Sequence, residues 1–161
     1  MFTGWKSFCE ARGDSFIETP SLIYVTGYKY QSRNDMVFKT AVYPEQDIIT
    51  DLIVLRKDGW LWVGKYFAWD GASGPTWDDE TNMRASLVHD ALYALMRMGL
   101  LDPKRWRKLA DAELCRIMLK DGAGKFRANY YEWAVNNFAE EFALPENSRQ
   151  EFCAPRKLSH Y

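Results

Sequence analysis

Two short stretches of this chain carry side chains able to do chemistry together. In His89-Asp90-Ala91-Leu92-Tyr93, a helix puts His89 and Tyr93 on one face and turns Asp90 about 100° away from His89. A histidine with one ring nitrogen bonded to a carboxylate has a fixed tautomer, and its other nitrogen can act as a base. The same histidine would serve equally as a satisfied core residue. The second stretch is Trp69-Asp70-Gly71-Ala72-Ser73-Gly74-Pro75, with two glycines, a serine and an aspartate in six residues. Its backbone can turn tightly and present carbonyl or amide groups. Such a loop suits a calcium ion, which takes several oxygen ligands, and it equally suits a plain tight turn.

The elements that must position these groups can be read from periodicity. Met83, Leu87, Ala91, Leu95 and Met98 recur at helical steps. Gly99 suits the helix end, and Asp102-Pro103 suits the start of the next helix, which runs over 104–120 to Asp121-Gly122. So short a link makes the two helices an antiparallel hairpin. His89 lies 11 residues before Leu100 in the link and Asp111 lies 11 after it. At about 1.5 Å per residue they stand at nearly the same height on facing helices. Ala110 and Ala112 flank Asp111 and permit close approach. The spacing therefore predicts a His89–Asp111 pair, against the alternative of a surface ion pair between Asp111 and Arg107 one turn earlier. A third helix over about 125–142 carries Phe126, Tyr130, Trp133, Phe138 and Phe142 along one side, and Pro145 stops it.

Before residue 76 the chain reads as strands. Ser21–Tyr30 and Met36–Tyr43 are rich in β-branched and aromatic residues, and Leu52–Leu55 and Trp60–Trp69 flank the turn dipeptide Asp58-Gly59. The expectation is an α+β domain: a small antiparallel sheet in the N-terminal half packed on a three-helix C-terminal half. Residues 1–161 form one domain, mainly β over about 1–75, helical over about 80–143, with a tail over 144–161.

Composition narrows the chemistry. With 21 basic and 22 acidic residues the net charge is −1, which argues against a nucleic-acid partner. Only two histidines, His89 and His160, leave no material for a multi-histidine metal site. Cys9, Cys115 and Cys153 contain no Cys-x-x-Cys pair, so neither a zinc ribbon nor a disulfide-stapled secreted fold is expected. The opening MFTGWKSFCEARGD has no apolar signal-peptide core, and no run approaches a membrane span. Localisation in a reducing cytoplasm follows as the expectation, with carriage inside a particle as a further option. The 7 Trp, 9 Tyr and 9 Phe are an unusual surplus, fit for a core or for a lipid interface. Trp69 and Trp77, which flank the loop, carry both readings.

Residues 52–138 resemble a family of small proteins common in tailed-phage genomes and prophages. The resemblance rests on Asp70–Ser73 with Pro75, His89–Tyr93, Arg107 with Ala110-Asp111, and Tyr130–Val135. It implies a phage setting and no particular activity. The same skeleton is similar to secreted phospholipase A2, especially of the bacterial type. That similarity implies His89 as general base, Asp111 as the group orienting it, and Tyr93 as support for Asp111. It also implies calcium held by Asp90 and the Asp70–Gly71 loop, and a phospholipid or membrane surface as partner. The disulfide that staples loop to helix in those enzymes would fall at Ala72 and Ser86, so both halves are missing here. Two functions follow as expectations. One is calcium-dependent hydrolysis of phospholipid esters. The other is a non-catalytic tail or baseplate protein that contacts other virion proteins and uses the same motifs only to lock loop to helix.

Overall fold

A computed structural model of the 161-residue chain describes residues 24–25, 30–71, 78–138 and 143–144. The order is β1 (Tyr24–Val25), β2 (Tyr30–Ser32), β3 (Met36–Lys39), β4 (Ile48–Ile49), β5 (Ile53–Leu55), β6 (Trp60–Val63) and β7 (Ala68–Trp69). Helices α1 (Met83–Arg97), α2 (Pro103–Lys120) and α3 (Lys125–Phe138) follow. The class is α+β as expected, but the strands make two antiparallel sheets, ordered β1-β2-β7 and β3-β6-β5-β4. The expected strand over 60–69 is split, because Gly64 to Phe67 turn between β6 and β7. Ile48–Ile49 is an added edge strand too short to have shown as alternation.

The Asp58-Gly59 turn joins β5 to β6. Gly59 has φ +85°, and a Cβ there would stand 2.7 Å from the Thr40 carbonyl oxygen, so both conformation and space require glycine. On one face of this sheet Met36, Phe38, Ile53, Leu55, Leu61 and Val63 join the main core. The alternate residues Val37, Val54 and Trp62 form a second buried cluster with Trp60. Both faces being apolar, the strands read as continuous hydrophobic runs.

Helix α1 is the centre of the core, with Ala85 to His89 and Ala91 to Met96 all buried. It ends with Gly99 at φ +69°, and α2 begins with Pro103 behind Asp102, whose carboxylate accepts the Lys104 N–H at 3.0 Å. Helices α1 and α2 pack as the expected hairpin. Glu113 of α2 accepts the Ala41 N–H at 3.2 Å and pairs with Arg116, tying the hairpin to the end of β3. Helix α3 packs on α2 through Ala128, Tyr131 and Val135. Arg127 bonds Asp79 and Thr81 and so anchors α3 to the chain just before α1. Burial disfavours the Asp79 carboxylate, but the Arg127 and Thr81 bonds outweigh it and hold its pKa below the usual value. No helix among the described residues is long and apolar enough to cross a membrane.

Candidate active site

His89 and Asp111 meet across the α1–α2 hairpin. The ring nitrogen Nε2 lies 2.9 Å from Asp111 Oδ1, inside the core, with Asp111 fully buried and His89 6% exposed. Equal distance from the link brings the two residues to one height, and Ala110, also fully buried, lets the helices close. The Tyr93 hydroxyl, one turn from His89, donates to the same Oδ1 at 2.7 Å. Its ring lies against the imidazole, with centroids 4.1 Å apart. Arg107 Nη1 donates to Asp111 Oδ2 at 3.2 Å and to the Asn136 carbonyl of α3 at 3.5 Å. The two readings of Asp111 are therefore both present, but Arg107 is no surface partner: its side chain is only 13% exposed.

Asp111 selects the tautomer of a neutral His89 ring. An ionised carboxylate only accepts, so with Asp111 ionised Nε2 carries the hydrogen and Nδ1 holds the lone pair. Nδ1 faces Asp90 Oδ1 at 3.7 Å, beyond hydrogen-bond length in the neutral ring. Burial lowers the pKa of His89, but the Asp111 hydrogen bond and the nearby Asp90 and Asp111 carboxylates outweigh it, and the pKa is raised. Burial, and then the Asp111 charge, push the Tyr93 phenol well above its usual value, so it stays a donor. A raised histidine pKa adds stability that is fully present below the unfolded value of about 6.5 and is lost as pH rises through the folded value. In calcium-free buffer, denaturant midpoints are expected to fall as pH climbs above 6.5, and His89→Gln should flatten that fall. An equally steep fall in the variant would rule out His89 as its source.

Asp70 and Gly71 leave β7 beside Asp90. The Asp70 N–H donates to Asp90 Oδ2 at 3.3 Å. Gly71 has φ +80°, and a Cβ there would stand 2.2 Å from Asp78 Oδ2. Asp78, at the far side of the loop, is thus brought to its near side, a meeting that spacing alone did not reveal. Gly71→Ala must adopt a left-handed backbone and displace Asp78, so a loss of about 1–2 kcal/mol is expected in thermal unfolding. Ala72, Ser73, Gly74, Pro75 and Trp77 lie outside the described residues.

Trp69 does not serve as a lipid-facing side chain. It is 3% exposed, and its Nε1–H donates to Ser86 Oγ at 3.1 Å. Ser86 thus holds the loop's entry strand by a hydrogen bond.

Carboxylate and turn oxygens are the hard donors that calcium prefers. Among the described residues no three His, Cys, Asp or Glu side chains group to hold a metal. Compared with models of protein families, curated proteins and solved structures, the chain matches none.

Proposed function

We propose that this chain is a phage-associated hydrolase of phospholipid esters, with His89 as base and Asp111 as the group that orients it. The observation that carries this reading is the buried Tyr93–Asp111–His89 arrangement, in which one carboxylate holds Nε2 and leaves the Nδ1 lone pair to one side. Nδ1 takes a proton from water as the water oxygen bonds to the ester carbonyl carbon. Asp111 and Asp90 lie on the two nitrogen sides of the ring and stabilise the imidazolium that forms. The imidazolium returns the proton to the leaving alkoxide oxygen as the C–O bond breaks, giving a fatty acid and a lysolipid. Asp90 and the oxygens of the Asp70–Gly71 turn are the groups that would hold calcium, which would supply polarisation of the ester carbonyl. The phage setting rests on the motif resemblance at Asp70–Ser73 and His89–Tyr93.

The test is fatty-acid release from phosphatidylglycerol and phosphatidylcholine at millimolar calcium, with a chelator as control. Release that stops with the chelator is expected. No release from any phospholipid sinks the proposal.

One observation favours a second reading. Asp111 accepts from three side chains and Asp90 accepts the Asp70 amide, so the network joins α1, α2 and the end of β7 without any substrate. Such a clamp suits a tail or baseplate protein that contacts other virion proteins. Its mark would be a fixed copy number in purified particles together with no hydrolysis.

A further inference from the structure

A cavity of about 530 Å³ opens where the β3–β4 connection faces the α1–α2 link and the first turn of α2. That size suits a small ligand or a short stretch of chain. Its apolar lining is buried Leu101 and Trp106 together with Ile49 and Leu100, which are 54% and 48% exposed. Three carboxylates and one guanidinium also line it. Arg105 lies over the Trp106 ring, 4.6 Å from its centroid, and bonds Glu45 at 3.1 Å, so the charges of Arg105 and Glu45 offset each other. Asp47 and Asp102 each give Oδ1 to a backbone N–H, those of Lys57 and Lys104. The side chains of Lys57 and Lys104 do not line the cavity, and no described cation pairs with Asp47 or Asp102. The rim thus keeps two negative charges without a counter-charge.

The cavity borders a free sheet edge, since β4 stands last in the order β3-β6-β5-β4. The Thr50 N–H donates to the Ile53 carbonyl at 2.9 Å, and Ile48 and Ile49 stand opposite Leu55 and Val54. Antiparallel pairs alternate between bonded and non-bonded, so Ile49 turns its N–H and carbonyl away from β5. Neither group has a partner among the described residues. Such an edge is a template for one more strand. The chain carries a segment of matching chemistry. Residues 152–161, FCAPRKLSHY, hold Arg156, Lys157 and the apolar Leu158, and no acid. Leu144, the last described residue, lies with Pro103, Lys104, Arg107 and Lys108. At 100° per residue these four stand on the opposite side of the first turn of α2 from Asp102, Arg105 and Trp106. The way round a helix about 10–12 Å across is roughly 20 Å. Residues 145–156 span about 40 Å when extended, which is ample. Glu146 and Glu151 belong to this connecting stretch and not to the basic segment.

We infer that residues 155–158 dock within their own molecule as an added strand on the free edge of β4, with Leu158 over Ile49 and Leu100 and with Arg156 and Lys157 at the rim carboxylates Asp47 and Asp102. Pro155 has no N–H and suits the first position of an edge strand. Strand alternation sends Arg156 and Lys157 to opposite sides. The two carboxylates also stand apart, Asp47 before β4 and Asp102 before α2. The docked segment ties the edge of the larger sheet to the link of the hairpin that carries His89 and Asp111. The Arg105–Glu45 pair already spans this place, but its side chains are 54% and 80% exposed, so it contributes little. Ester hydrolysis plays no part in this docking.

The test is amide hydrogen exchange at Ile49 in the full chain, read by nuclear magnetic resonance at low salt. Exchange about tenfold or more slower than in an unstructured peptide is expected, with part of that protection lost at high salt. Arg156→Glu combined with Lys157→Glu should return Ile49 to the free rate and leave Val54, inside the same sheet, unchanged. Asp47→Asn combined with Asp102→Asn keeps an acceptor oxygen for the Lys57 and Lys104 amides and removes both charges. It should lower the protection as well, and adding it to the tail reversal should change nothing further. Circular dichroism of each variant should match wild type. Free-rate exchange at Ile49 in the wild type overturns the inference. So does protection that survives the tail reversal, which would assign the edge to another occupant. Protection that rises with protein concentration, together with a dimer in sedimentation, assigns the edge to a second copy and overturns docking within one molecule.

Discussion

Asp111→Ala is expected to destabilise the protein by about 3–5 kcal/mol, the usual loss when one member of a buried charge network is removed. Asp111 is fully buried and accepts from His89, Tyr93 and Arg107. Alanine leaves a guanidinium whose side chain is 13% exposed without this acceptor, and a buried tyrosine hydroxyl as well. A domain's whole stability is about 5–15 kcal/mol, so the variant should unfold early in urea and melt about 6 °C or more below wild type. Asp111→Asn keeps the volume and one acceptor oxygen and should lose less. A loss under about 1 kcal/mol for Asp111→Ala would mean that Arg107 swings to water and that the network contributes little.

His89→Gln is expected to lower phospholipid hydrolysis about 10²- to 10⁴-fold, the span that a positioned general base contributes. The glutamine amide can still donate to Asp111, so the hairpin keeps its central hydrogen bond. It has no basic lone pair at the place of Nδ1, so proton transfer from water is lost. The clean result is a folded variant, with wild-type circular dichroism, that binds vesicles as before and releases no fatty acid. Retention of activity would remove His89 from the mechanism and move the chemistry elsewhere in the chain.

Much of the helical half was legible in the residues themselves. Gly99 and Asp102-Pro103 mark the link, and equal counts on either side of Leu100 bring His89 to Asp111. Helical geometry is regular enough that counting residues measures height. The sheet half was less legible. Its strands are two to four residues long, too short for alternation to show their ends, and both faces of the larger sheet are apolar. The aromatic surplus was the least legible feature. Trp69 and Phe126 look alike in composition, yet one is sealed in the core beside Ser86 and the other stands in solvent.

By itself the sequence determined the α+β class, the helix hairpin, the single candidate base and the spacing that makes a His–Asp pair reachable. These depend on local backbone preference and on distances counted along one chain. Only the tertiary structure decided how the network is completed. Arg107 becomes a partly buried third partner of Asp111 that also reaches α3, Asp78 comes against Gly71, and Ser86 holds Trp69. It also decided that the third helix turns Phe126 and Trp133 outward while Tyr131 and Val135 face the core. The reason is physical: which face of a helix is buried, and which carboxylate meets which cation, depends on neighbours brought together from distant parts of the chain.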